Sequence, residues 1–102
     1  MITLIEQHRA ELETLCRKHR VKSLELFGSA ADGTFEPARS DLDFLVEFLP
    51  LEPGQLAPDY FGLLHDLEDL FPLKIDLVMG RAIRNPYFQR GVNESRQVIY
   101  AA

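Results

Sequence analysis

Two apolar runs, Val21 to Phe27 and Leu42 to Phe48, constrain this chain more than any other feature. Both are rich in Val, Leu and Phe and read as strands. Gly28 ends the first run and Ser29 follows it. Gly-Ser at a strand exit gives a turn whose backbone can approach a ligand closely, with a hydroxyl beside it. The second run is headed by Asp41 and Asp43. Two residues apart on a strand, both carboxylates project from one face. Adjacent like charges repel unless a cation lies between them, so the pair points to a magnesium or manganese site. The intervening residues 30–40 carry Gly33, Pro37 and small or charged side chains, the composition of a surface loop. The two strands suit an antiparallel pair with a long connection.

The rest of the chain supplies helices and a further strand. Residues 3–19 predict an amphipathic helix, opened by the Thr3–Glu6 capping box, with Ile5, Leu12, Leu15 and Cys16 at helical spacing. Pro50, Pro53, Gly54 and Pro58 mark an irregular connection after the second strand. From Asp59 onward, Tyr60, Phe61, Leu64, Leu67, Leu70 and Phe71 form a helical stripe that Pro72 stops. Residues 74–79 (KIDLVM) predict a third short strand ending at Gly80. Asn85-Pro86 opens a last helix, with Phe88, Val92, Ser95 and Ile99 on one face. The expected order is α-β-β-α-β-α. That is an α/β (α+β) architecture, a small mixed sheet of three or more strands with flanking helices, in a single domain over residues 1–102.

Composition narrows the function classes. A formal net charge of -5 disfavours nucleic acid as a partner, because such binding rests on basic patches that displace counterions. A hydrophobic content of 46% with 26% charged residues fits a soluble globular protein. Cys16 is the only cysteine, compatible with a reducing cytoplasm, and its setting reads as a buried structural thiol. Charged residues interrupt the N-terminal segment and no apolar run approaches membrane-spanning length, so no membrane role is expected and the location reads as cytoplasmic. His8, His19 and His65 show no metal-ligand spacing and read as partly exposed structural residues.

Asp76 lies inside the third predicted strand, between Ile75 and Leu77. A carboxylate there is costly to bury unless it meets a cation or a good donor. Beside Asp43's strand it would complete a set of three converging carboxylates, the arrangement that two-metal phosphoryl or nucleotidyl transfer needs. Taken singly, each has a plainer reading: Asp41 as a strand-edge cap, Asp43 as a solvent-facing residue, Asp76 as a partner of Lys74 or an arginine.

Gly28-Ser29 followed by Asp41-Leu42-Asp43 resembles the GS…DxD signature of the DNA polymerase β-like nucleotidyltransferase superfamily. With KIDLV and the ending RNPYFQRGVNESRQVIYAA, nearly the whole chain resembles the minimal nucleotidyltransferase (MNT) antitoxins found beside HEPN ribonuclease toxins in prokaryotes. The resemblance implies a nucleotidyltransferase fold and a hetero-oligomer with a HEPN-type toxin. It implies that Gly28 and Ser29 hold the triphosphate of ATP. Asp41 and Asp43 would coordinate two magnesium ions, and Asp76 would complete one metal site and help deprotonate the acceptor. The implied reaction transfers AMP from ATP to a tyrosine of the toxin and silences it. Many relatives have GSRARG where this chain has Gly28-Ser29-Ala30-Ala31-Asp32-Gly33. Both basic positions are lost, which keeps open an antitoxin that neutralises its toxin by binding alone. Transfer to a small molecule such as an antibiotic is a third reading, against which stands the extra domain that such relatives carry.

Overall fold

The computed structural model describes residues 3–28, 41–79 and 97–102. The chain opens with two helices where one was expected, α1 (Thr3–Gln7) and α2 (Arg9–Lys18), which meet at His8. The His8 ring donates from Nδ1 to the Leu4 carbonyl at 2.9 Å, and its edge meets Phe71. Glu6, the acidic end of the expected capping box, faces Arg9 at 3.3 Å. Ile5, Leu12 and Cys16 are wholly buried, as their spacing predicts. Burial pushes the Cys16 thiol up to about 12, so it is a structural residue.

Strands β1 (Val21–Phe27) and β2 (Leu42–Phe48) pair antiparallel, with Phe27 opposite Asp43. Strand β3 (Ile75–Met79) lies parallel to β2, and β4 (Gln97–Ala101) runs antiparallel to β1 on the other side. The sheet is therefore mixed, with four strands in the order β3-β2-β1-β4. Ile99, expected on the face of a last helix, sits instead in β4 and is buried against the main core. Val98, Ile99 and Tyr100 are β-branched or aromatic, and pairing with β1 suits them better than a helix does. The helix opening at Asn85-Pro86, and Phe88, Val92 and Ser95 with it, fall outside the described residues.

Helix α3 (Leu56–Leu70) starts earlier than Asp59 and takes Pro58 into its first turn, where the missing N–H has no helical partner to lose. Leu63, Leu67 and Phe71 close over the sheet, while Phe61, on the predicted stripe, is 54% exposed, its ring T-shaped to that of Tyr60. Alternation along β2 then separates two environments. Leu42, Phe44 and Val46 pack with Leu24, Leu26, Leu63 and Leu67 in the helix-side core. Leu45 joins Phe27 and Val78 in a smaller cluster on the other face, the face to which Asp43 belongs.

Three polar ties hold α3 against the remainder. His19, buried rather than partly exposed, donates from Nε2 to Asp66 Oδ2 at 2.6 Å, and Lys18 reaches the same oxygen at 3.2 Å. The hydrogen bond from His19 holds the Asp66 carboxyl below its usual range. Arg20, with a positive φ of 56°, meets the buried Asp59 at 2.9 Å. Tyr60 donates its hydroxyl to the Leu77 carbonyl at 2.6 Å and so ties α3 to the edge strand β3.

The His19 ring also explains Gly62 in the middle of α3. A Cβ built there would stand 2.7 Å from His19 Cε1 and 3.0 Å from Nδ1. Glycine in a helix interior costs about 1 kcal/mol relative to alanine, so a change to alanine ought to stabilise an isolated helix. Here the tightly held ring opposes it. Gly62→Ala is expected to lower stability by about 1 kcal/mol in the native background and to raise it in a His19→Ala background. Denaturant unfolding of the four proteins of this cycle measures the reversal.

Candidate active site

The first rungs of the parallel ladder build the site. Asp41 stands just before β2, and the Leu42 N–H donates to the Lys74 carbonyl at 3.0 Å. That bond sets the register, which aligns Leu42 with Ile75 and Asp43 with Asp76. Registered neighbours on adjacent strands project from the same face, so the two carboxylates are placed side by side by the backbone itself. The antiparallel pairing with β1 brings Gly28 to the same point. Gly28 has a φ of 71°, and a Cβ built on it would collide with Oδ2 of Asp43 and lie 3.2 Å from its Cγ. Only glycine lets the turn after β1 close against that carboxylate.

The electrostatics follow from this crowding. Asp43 is pushed up to about 6, first by burial, then by the charges of Asp76 and Asp41, with Lys74 pulling the other way. Burial also raises the Tyr60 phenol, and the charge of Asp76 adds to it. Lys74 Nζ lies 3.9 Å from Asp41 Oδ2, both side chains being substantially exposed.

Of the residues marked by sequence, the structure brings Gly28, Asp41, Asp43 and Asp76 to one end of the sheet. Ser29 lies outside the described residues. Among the described residues, no three His, Cys, Asp or Glu side chains form a ready-made metal cluster. The donor chemistry nevertheless fits a hard divalent ion: the set is carboxylate oxygen throughout, and Asp43, raised by burial first and then by Asp76 and Asp41, is a carboxyl whose charged form such a cation favours.

Two features escaped sequence reading. Lys74 faces Asp41, where the plainer reading paired it with Asp76. Tyr60, read as core, spends its hydroxyl on the backbone beside Asp76, a contact with no local sequence signal.

The mixed sheet carries a glycine turn set against Asp43, with Asp76 in register beside it at one end, and comparison with known proteins gives the class to which this frame belongs. The family model described as "Nucleotidyltransferase domain" matches residues 8–99. The chain belongs to that family. It is 39% identical over 89 residues to "Putative protein adenylyltransferase MJ0128" of Methanocaldococcus jannaschii, with 84% of each chain covered. Among solved structures, one described as a "putative minimal nucleotidyltransferase" superposes with a TM-score of 0.73 at 30% identity, covering 94% of this chain and 95% of that one. The complex described as "tri-AMPylated Shewanella oneidensis HEPN toxin in complex with MNT antitoxin" shares the fold, with a TM-score of 0.63 at 16% identity, over 95% of this chain and 72% of that one.

Two outcomes test this geometry. In metal-free protein the Asp43 carboxyl is expected to titrate near 6, and Asp76→Asn to lower it only part of the way, because burial is the larger cause. Carboxyl chemical shifts followed by NMR against pH measure both. A carboxyl raised by folding stabilises the native state below its unfolded pKa, and that contribution is lost as pH rises. The contribution of Asp43 is therefore fully present below about 4 and gone above about 6. Gly28→Ala combines a left-handed backbone with a collision, so a loss of about 1–3 kcal/mol is expected in denaturant unfolding, with a displaced Asp43 resonance.

Proposed function

We propose that this chain is a magnesium-dependent protein adenylyltransferase that transfers AMP from ATP to a tyrosine of a partner HEPN toxin and thereby neutralises it. Residues 1–102 act in this reading as one minimal nucleotidyltransferase domain, in a hetero-oligomer with the toxin in the cytoplasm. The observation that carries it is the register of β2 and β3, which sets Asp43 beside Asp76, with Gly28 closed against Asp43. Two likenesses support the choice of reaction: the archaeal relative bears the name of a protein adenylyltransferase, and the complex of like fold pairs an MNT antitoxin with an AMPylated HEPN toxin. Among the described residues no helix is long and apolar enough to cross a membrane.

Each residue has a role in this mechanism. Asp41, Asp43 and Asp76 are the residues that would hold magnesium, two ions in the full arrangement. The ions supply charge neutralisation of the triphosphate and acidification of the attacking hydroxyl. Gly28, free of a Cβ, lets the backbone and the neighbouring Ser29 hydroxyl meet the phosphates. The tyrosine oxygen of the partner bonds to the α-phosphorus, the bond from that phosphorus to its bridging oxygen breaks, and pyrophosphate leaves. The phenol proton passes to Asp76. Phenol is a poor nucleophile until ionised, so a carboxylate at the acceptor is what the chemistry needs.

A second reading, neutralisation by contact alone, rests on Ala30, Ala31 and Asp32, which place no positive charge behind Gly28-Ser29. One experiment separates the two. The purified protein is incubated with magnesium, ATP and its neighbouring gene product, and the partner's intact mass is measured. Transfer predicts a gain of one or more AMP masses, slowed about a hundredfold or more by Asp41→Asn or Asp43→Asn. A tight complex without any gain in mass leaves the contact reading, and undiminished transfer by both variants overturns the mechanism.

A further inference from the structure

Lys74 is a residue at the site to which the proposed reaction assigns no role. Its position is fixed by main chain, since its carbonyl accepts the N–H of Leu42, the residue between Asp41 and Asp43. Its side chain reaches back along the ladder to Asp41, with Nζ 3.9 Å from Oδ2. Continued by one step, the register of the parallel pair places Lys74 across from Asp41 as Asp76 lies across from Asp43. The result is a square of four charged side chains, three negative and one positive, flanking the Leu42–Ile75 rung at the start of the parallel pair.

Other cations among the described residues are spoken for elsewhere. Arg9 and Arg17 meet glutamates along their own helices, Lys18 meets Asp66, and Arg20 meets Asp59. Lys22 lies at the far end of the sheet, lining a cavity of about 440 Å³ with Leu49 and Met79. Among the described residues, Lys74 is thus the cation in contact with the carboxylate group.

We propose that Lys74 is a resident counter-ion of this site, a positioning residue that occupies the cation's role until a divalent metal displaces it. The inference rests on the proposed metal-binding role of Asp41, Asp43 and Asp76. An ammonium on a four-carbon stem suits that role. It is a compact point charge, exposed and able to swing away, where a guanidinium would hold a carboxylate by a two-pronged bond. While in place it keeps Asp41 near Asp43 despite their repulsion. When a metal enters, the same positive charge opposes it at short range. Lys74 then sets how readily the site loads without nucleotide.

The test is manganese binding to the nucleotide-free, full-length protein, followed by calorimetry and by the loss of free-ion electron-spin resonance signal. Lys74→Gln is expected to tighten binding about three- to tenfold, the size of one unit charge acting on a divalent ion across a few ångströms of partly screened solvent. Lys22→Gln removes the same net charge from the far end of the sheet and is expected to leave affinity nearly unchanged. Lys74→Arg, which keeps the charge and grips the carboxylate more firmly, is expected to bind manganese no more tightly than the native protein. Equal affinities for the Lys74→Gln and Lys22→Gln proteins, with the native protein binding manganese, would sink the counter-ion role and leave the site reading standing. No binding by the native protein, or binding that survives Asp41→Asn and Asp43→Asn together, overturns the site reading and the inference with it.

Discussion

Everything at this site depends on the register of one parallel strand pair. The bond from the Leu42 N–H to the Lys74 carbonyl starts the ladder, and the ladder then has no freedom to keep Asp43 away from Asp76. A slip of one residue would turn Asp43 into the helix-side core and bring Leu42 and Phe44 out of it. The apolar alternation of β2 therefore defends the placement of its carboxylate. Hydrophobic burial on one face holds the carboxylates together on the other, where burial first and then the charges of Asp76 and Asp41 raise Asp43 to about 6.

The helices serve this register indirectly. Helix α3 covers the core face of β2, and Tyr60 fastens it to β3 through the Leu77 carbonyl. His19 and Arg20, at the turn from α2 into β1, grip Asp66 and Asp59 on α3. The two ends of the sheet are thus tied through one helix. Partly buried hydrogen bonds and ion pairs of this kind contribute little net energy, but they are costly to break singly, so they favour one packing over near alternatives.

Much of this arrangement was legible in local sequence. The bounds of β1 and β2, the antiparallel pairing across a long connection, and the three aspartates with Gly28 all come from short-range patterns whose physical cause is local: pleat, turn chemistry and charge spacing. Misreadings arose where pattern was ambiguous. Ile99 matched a helical face and a strand equally well, and contact with β1 decided for the strand. Residues 3–19 read as one helix, because nothing in them announces a break at His8. Phe61 matched the apolar stripe of α3 but is left more than half exposed.

By itself, then, the sequence determined which residues could carry chemistry. Apolar period, glycine at a strand exit and paired carboxylates depend only on neighbours a few residues apart. Tertiary structure alone decided which of them meet. The alignment of Asp43 with Asp76, the closure of Gly28 on Asp43, the reach of Lys74 to Asp41 and the clash that reserves position 62 for glycine each join residues far apart in the chain. Such contacts are fixed by strand register and by helix packing on a shared core. Those are properties of the whole fold, and no local window of the chain encodes them.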